Sequence, residues 1–257
     1  METEIWPNMI AACVSRNSPV SLLNGRLSDK TLQKTLDHSF VAQLFGWTYA
    51  QCANVCAQSD ADAARYKQVG VRQSRLMVTG NVKFDMTLPL EQIAQGEQLK
   101  VWAQRAHPSH SMVLLASTRE GEEQMWLDAR ANFDDSNIQW WLVPRHPQRF
   151  NEVERLLEQA GFVGDAVLRK TELDAMDDAA RRNERLQKAR IVLGDTMGEM
   201  FAYYAAADVV LMGGAWQPQG GQNFLEPLAL GKPTLIGPHT YNFAQVASDA
   251  VVAAALI

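Results

Sequence analysis

The sequence predicts an α/β protein whose parallel sheets are buried on both faces. Three features predict it: short β-branched or apolar runs recur along the chain, amphipathic stretches opened by capping residues lie between them, and the two kinds alternate throughout. The runs read as strands are residues 20–24, 55–58, 75–79, 112–117, 138–143, 191–193, 209–212 and 234–236.

In chain order, residues 1–8 carry a loop-to-helix signal. Ser28-Asp29 caps a helix over 30–44, and Ser59-Asp60 caps one over 61–69. Thr87-Leu-Pro stops the chain after the third strand, and a helix starts from Glu91. A boundary between Gly80 and Pro89 follows, giving domains 1–86 and 87–257. Thr118 precedes a helix over 120–132, and the charge-rich segment 174–190 reads as a solvated helix or loop. Trp140-Trp141, inside a strand, and Cys52 and Cys56 read as core filling and buried thiols.

The composition narrows the function classes. Of 257 residues, 47% are hydrophobic and 21% charged, the balance of a globular chain. Lys and Arg number 24 against 29 Asp and Glu, a net charge of −5 with no basic face, so no nucleic-acid partner is expected. Three cysteines and no secretory leader point to a reducing compartment and a soluble, cytoplasmic chain. No apolar run reaches the ~18 residues of a membrane span. The longest, at 205–214 and 251–257, read as buried elements. His38, His107 and His110 are scattered, and the Cys52–Cys56 spacing suits no common zinc site, so neither metal nor cofactor is expected. The phosphate loop of ATPases and the nucleophile elbow of α/β-hydrolases are absent.

What chemistry there is follows the strands. After the run 208–212 comes Gly213-Gly-Ala-Trp-Gln-Pro-Gln-Gly-Gly-Gln-Asn-Phe-Leu-Glu-Pro-Leu. Gly220 and Gly221 permit close backbone approach to a ligand, and Asn223 caps the next helix. Glu226, in that helix's first turn, suits a pair of vicinal ribose hydroxyls. The same pattern also reads as a Gly-rich turn with a capping Asn and a dipole-favoured Glu. Val143-Pro-Arg-His-Pro places Arg145, a donor fork suited to phosphate, beside His146, which Pro147 holds extended. In Gly194-Asp-Thr-Met-Gly-Glu, Gly194 permits the turn and Asp195 or Thr196 caps a helix. Ser117-Thr118-Arg119-Glu120 repeats that geometry. Loops of this kind gathered at strand ends suggest one ligand site.

The same segments resemble the 3-deoxy-D-manno-oct-2-ulosonic acid (Kdo) transferases. The likeness runs in order through Glu2-Thr-Glu-Ile-Trp-Pro-Asn, Leu23-Asn-Gly-Arg-Leu-Ser, Ala57-Gln-Ser-Asp-Ala-Asp, Thr79-Gly-Asn-Val-Lys-Phe-Asp, Val143-Pro-Arg-His-Pro, Gly194-Asp-Thr-Met-Gly-Glu, Gly220-Gly-Gln-Asn-Phe-Leu-Glu-Pro and Gly237-Pro-His-Thr-Tyr-Asn-Phe. The resemblance implies a GT-B-type fold of two Rossmann-like parallel-sheet domains, the first (acceptor-side) one incomplete and the second lacking its final elements. It implies transfer of Kdo from CMP-Kdo to the lipid A precursor at the cytoplasmic face of the inner membrane, inverting and metal-independent. CMP would be held by Pro144, Arg145, His146, Met197, Gly198, Glu199, Asn223, Phe224, Leu225 and Glu226, with Thr118, Gly220 and Gly221 as further candidates. Glu4, Arg26 and Lys83 match positions lining the family's cleft, where the two cations would offset donor charge.

The chain departs from the family in two ways. Gln222 stands where the family has His, and the family's Ser-x-Gly-Glu segment, whose Glu is the general base, is not in this sequence, nor is the membrane anchor. The chain alone is therefore expected to bind CMP without turnover. A UDP-sugar 2-epimerase, another GT-B enzyme or a non-catalytic remnant are the alternatives.

Overall fold

The computed structural model describes residues 5–252 and 256, with the side chains at 83, 244, 245, 249 and 252 left out. The chain divides into two compact units, Met1–Met86 and Thr87–Ile257.

The first unit comprises α1 (Pro7–Ser15), β1 (Ser21–Gly25), α2 (Asp29–Leu36), α3 (Ser39–Gln51), β2 (Asn54–Ala57), α4 (Asp60–Gln68) and β3 (Leu76–Val78). Its sheet is parallel with order β1-β2-β3. Leu22, Val55 and Ala57 pack with Tyr49 and Tyr66 in the core, the two rings meeting edge to face at 5.4 Å. Burial lifts the Tyr49 phenol to about 12. Ser59 caps α4 by accepting the Asp62 N–H at 3.1 Å. The expected helix over 30–44 is two helices: Asp37, His38 and Ser39 form poor helix interior but good boundaries, and His38 is extended at φ −118°.

The second unit runs α5 (Leu90–Ala106), β4 (Ser111–Thr118), α6 (Glu122–Arg130), β5 (Ile138–Pro144), α7 (Phe150–Gln159), β6 (Val167–Arg169), α8 (Lys170–Asp174), α9 (Ala179–Lys188), β7 (Ile191–Leu193), α10 (Met200–Ala206), β8 (Val209–Met212), α11 (Leu225–Ala229), β9 (Thr234–Ile236) and α12 (Ala244–Val252). Its six-stranded sheet is parallel with order β6-β7-β5-β4-β8-β9. One face packs Val113, Leu115, Trp140 and Leu142 against Trp126 and Leu157. On another set of strand positions Trp141 meets Tyr203 of α10 edge to face at 6.1 Å. Helices α5 and α10 approach so closely that a Cβ on Gly96 would strike the backbone oxygen of Ala202. Lys100 reaches from α5 to Asp208 at 2.6 Å, and the second carboxylate oxygen of Asp208 accepts the Met112 N–H of β4.

Here too the structure corrects the reading of single elements. Strand β6 is not among the strands read from the sequence: Val167-Leu-Arg ends on a charged residue and makes no apolar run, unlike the equally short 191–193. The helix after β4 begins at Glu122, not at residue 120, since Gly121 is left-handed at φ 84°, and Thr118 ends the strand instead of capping the helix. In the terminal run Val251 is 56% exposed while Leu256 is buried; residues 253–255 and 257 lie outside the described ones.

Candidate functional site

Because all six strands of the second unit are parallel, the loops after β4, β5, β7, β8 and β9 leave the sheet on one edge. Two buried carboxylates organise the loops nearest its centre. Glu122, 4% exposed, accepts the backbone N–H groups of Arg119 at 2.9 Å, Gly214 at 2.8 Å and Trp216 at 3.1 Å, joining the loop after β4 to the loop after β8. Glu123, fully buried, takes both guanidinium arms of Arg149, at 2.7 and 2.9 Å, and the Thr118 hydroxyl at 2.5 Å. The Thr118 hydroxyl is thus already engaged inside the protein, while its carbonyl accepts the Arg145 N–H at 3.0 Å and draws the β4 and β5 ends together.

Arg145 and His146 lie exposed past the end of β5, and His146 is extended at φ −124°, ψ 136°. Asn223 donates to Glu226 Oε1 at 3.0 Å and accepts the Leu225 N–H at 3.3 Å, so it braces the start of α11 as a cap would. Glu226 sits in that first turn. Burial raises its pKa above the usual carboxylate range, against the pull of the Asn223 amide and the Arg145 charge. The buried Tyr204 of α10 lies between these groups: desolvation and the Glu226 charge raise its pKa, while Arg145 and a hydrogen bond with Ser117 oppose the rise. Ser117 holds a left-handed φ of 55° to make that turn. Phe224 and Leu225 are core side chains, Phe224 meeting Phe243 at 5.5 Å, so only their backbones face the edge chemistry.

Gly220 and Gly221 are left-handed at φ 91° and 87°. At Gly220 the close approach is filled by the chain itself: a Cβ there would meet the Asn242 amide and the Tyr241 ring. The Tyr241 hydroxyl donates to the Pro218 carbonyl at 3.0 Å, so the loop after β9 fastens the loop after β8. Gln222, half-buried, lies over Gly214, where its Cγ would be 2.8 Å from an added Cβ.

The loop after β7 behaves differently from its sequence reading. Neither Asp195 nor Thr196 caps α10. Asp195 instead accepts the backbone N–H and hydroxyl of Thr171 at 2.9 and 2.7 Å, holding the start of α8, while Thr196 donates to Glu199 at 2.7 Å. Gly194 is needed for contact, not for a turn, since a Cβ would lie 2.6 Å from Val143 Cγ2. Met197 is exposed, Gly198 is left-handed and open, and Glu199 lies 3.8 Å from the buried Lys170 ammonium. Together with Gln95, Gln98 and Trp102 these last two line a cavity of about 270 Å³.

In the first unit, Asn24, left-handed at φ 55°, accepts the Val82 N–H at 3.1 Å, which brings the loop bearing Arg26 to the segment bearing Lys83. The side chain of Lys83 and all of Glu4 lie outside what is described. Among the described residues no three His, Cys, Asp or Glu gather as metal ligands, and no helix is long and apolar enough to cross a membrane.

Sequence reasoning placed the loops bearing Arg119 and Gln219 at this edge without singling either out, and missed Glu122 and Tyr204. Their partners lie far off in the chain.

Comparison with known proteins bears on both units. The family model "3-Deoxy-D-manno-octulosonic-acid transferase (kdotransferase)" matches residues 1–86. The chain is 38% identical to a 3-deoxy-D-manno-octulosonic acid transferase of Bordetella pertussis, over 100% of this chain and 56% of that one. It is 32% identical to that of Haemophilus influenzae, over 96% and 54%. The chain thus spans about half the length of the curated relatives it matches. Among solved structures, the C-terminal CMP-Kdo binding domain of WaaA from Acinetobacter baumannii aligns with a TM-score of 0.54 and 29% identity, over 65% of this chain and 81% of that one.

Proposed function

From this chain's kinship with the Kdo transferases, which runs through both units, we propose that residues 87–257 bind the CMP-Kdo donor of a glycosyltransferase. The observation that carries the reading is the pairing of Arg145 with the Asn223–Glu226 bond at the carboxyl edge of one parallel sheet. A guanidinium suited to phosphate and a carboxylate suited to ribose hydroxyls stand together there. The likeness to a CMP-Kdo binding domain supports the same ligand.

On this reading Arg145, with the Pro144 turn and His146, receives the donor phosphate. Met197, Gly198 and Glu199 close the nucleotide's flank, and the backbone of Asn223 to Leu225 together with Glu226 takes the ribose. The whole protein transfers Kdo to the lipid A precursor at the cytoplasmic face of the inner membrane, with inversion and without a metal. Calorimetric titration of the chain with CMP and with UDP tests the reading. Selective CMP binding, weakened at least about 1 kcal/mol by Arg145→Ala and by Glu226→Ala, is expected. Equal binding of both nucleotides, or indifference to both substitutions, would contradict it.

A further inference from the structure

Resting on that reading of the edge as a donor site, we infer that Arg119 is a second oxyanion receptor of the site, held ready by Gln219 and His146. Its guanidinium donates through Nε to Gln219 Oε1 at 2.8 Å and through Nη1 to His146 Nε2 at 3.1 Å. Arginine has no acceptor, so in this contact the His146 nitrogen is the acceptor. Neither partner is a carboxylate, and among the described residues Arg119 makes no ion pair. Arg149, which also reaches the Thr118 carbonyl, is by contrast tied to a carboxylate.

Of the acids that follow Arg119, Glu120 is exposed and makes no ion pair with it among the described residues, and the two buried ones are engaged elsewhere. Glu122 is committed to three backbone N–H groups, one of them that of Arg119 itself, and Glu123 to Arg149 and Thr118. The fork is therefore oriented from three loops, keeps its whole charge and has donors left over, which is the arrangement a planar oxyanion calls for. Its position agrees. Arg145 N–H bonds the Thr118 carbonyl, so Arg119 and Arg145 leave the sheet from the neighbouring ends of β4 and β5. Gln219 is fixed in turn, its carbonyl accepting from the Asn242 amide at 3.4 Å. The donor offers two oxyanions, a phosphate and the sugar's carboxylate, and Arg119 takes one of them.

The test compares the full chain with Arg119→Ala and Arg119→Lys in calorimetric titrations of CMP, cytidine and free Kdo, after confirming matched circular dichroism. Loss of at least tenfold in CMP affinity with cytidine binding unchanged assigns the phosphate to Arg119; loss confined to free Kdo assigns the carboxylate. Arg119→Lys, which keeps the charge but not the fork, is expected to fall in between, and Gln219→Ala to reproduce part of the loss without touching cytidine. If the unaltered chain binds CMP but Arg119→Ala binds CMP and Kdo equally well, the inference fails alone. If the unaltered chain binds no CMP, the donor-site reading fails and this inference with it.

Discussion

The carboxylate of Glu122 accepts the backbone N–H of Gly214 at 2.8 Å, across 92 positions of sequence, and so ties the end of β4 to the glycine-rich loop after β8. Among the described residues no cation shares that carboxylate, whose partners are the N–H groups of three loop residues. Glu122→Gln puts an amide where at least one of those buried N–H groups needs an acceptor. It is expected to cost about 1–3 kcal/mol in urea unfolding and to weaken CMP binding by loosening residues 213–221. An unchanged unfolding midpoint would show that the loops are held by other contacts.

The packing of α5 on α10 gives a second prediction. Alanine is a better helix former than glycine, yet a Cβ at Gly96 would meet the Ala202 carbonyl and lie 2.6 Å from the Ala205 methyl. Gly96→Ala is therefore expected to destabilise the chain by about 2 kcal/mol, measured by thermal unfolding. A stabilised variant would mean that the two helices separate at little cost.

Asp208 supplies a pH prediction for stability. Burial alone would raise its pKa, but the Lys100 ammonium and the Met112 N–H outweigh burial and hold it below the usual carboxylate range. Its contribution is thus present above the unfolded value of about 3.9 and is lost as the pH falls through the depressed folded value. Asp208→Asn is expected to cost about 1 kcal/mol at neutral pH, modest because the pair is about a third exposed, and the gap from the unaltered chain to close in acid. Urea titrations at neutral and acidic pH decide it, and a gap that widens in acid would be the wrong sign.

Glu226 moves the other way. Burial holds it above the usual carboxylate range, with the Asn223 amide and Arg145 pulling back, and the ionised form accepts from ribose hydroxyls more strongly, and through more lone pairs, than the protonated one. Cytidine affinity is expected to be full at neutral pH and to fall as the pH drops through that raised value, above the ordinary 4.5. Cytidine serves here because it carries no phosphate to titrate, and the comparison is kept above the range in which its cytosine ring itself takes up a proton. A Glu226→Gln variant is expected to bind weakly with a flat profile; a sloping one would assign the titration elsewhere.

How much of this was legible depended on the range of the interactions. Runs such as 138–143 and 209–212 announce their strands because fully buried parallel strands are apolar on both faces, and Trp140 and Trp141 are indeed buried there. Arg145 stood out because it follows a strand directly, and Asn223 and Glu226 because they open a helix after a glycine-rich loop; the structure does bring Asn223 onto Glu226. Asp195 was misread because its partner, Thr171, lies 24 residues away and starts a helix of five residues. Arg119 and Glu122 drew little notice for the same reason: their partners sit about a hundred positions downstream.

The central claim is that CMP sits on the carboxyl edge of the 87–257 sheet, and amide hydrogen exchange of the full chain with and without CMP tests it most directly. The account predicts added protection at 144–149 and 197–199 and at 220–226, with the first unit's backbone unchanged. Protection confined to residues 5–86, or none on saturation with CMP, would contradict it.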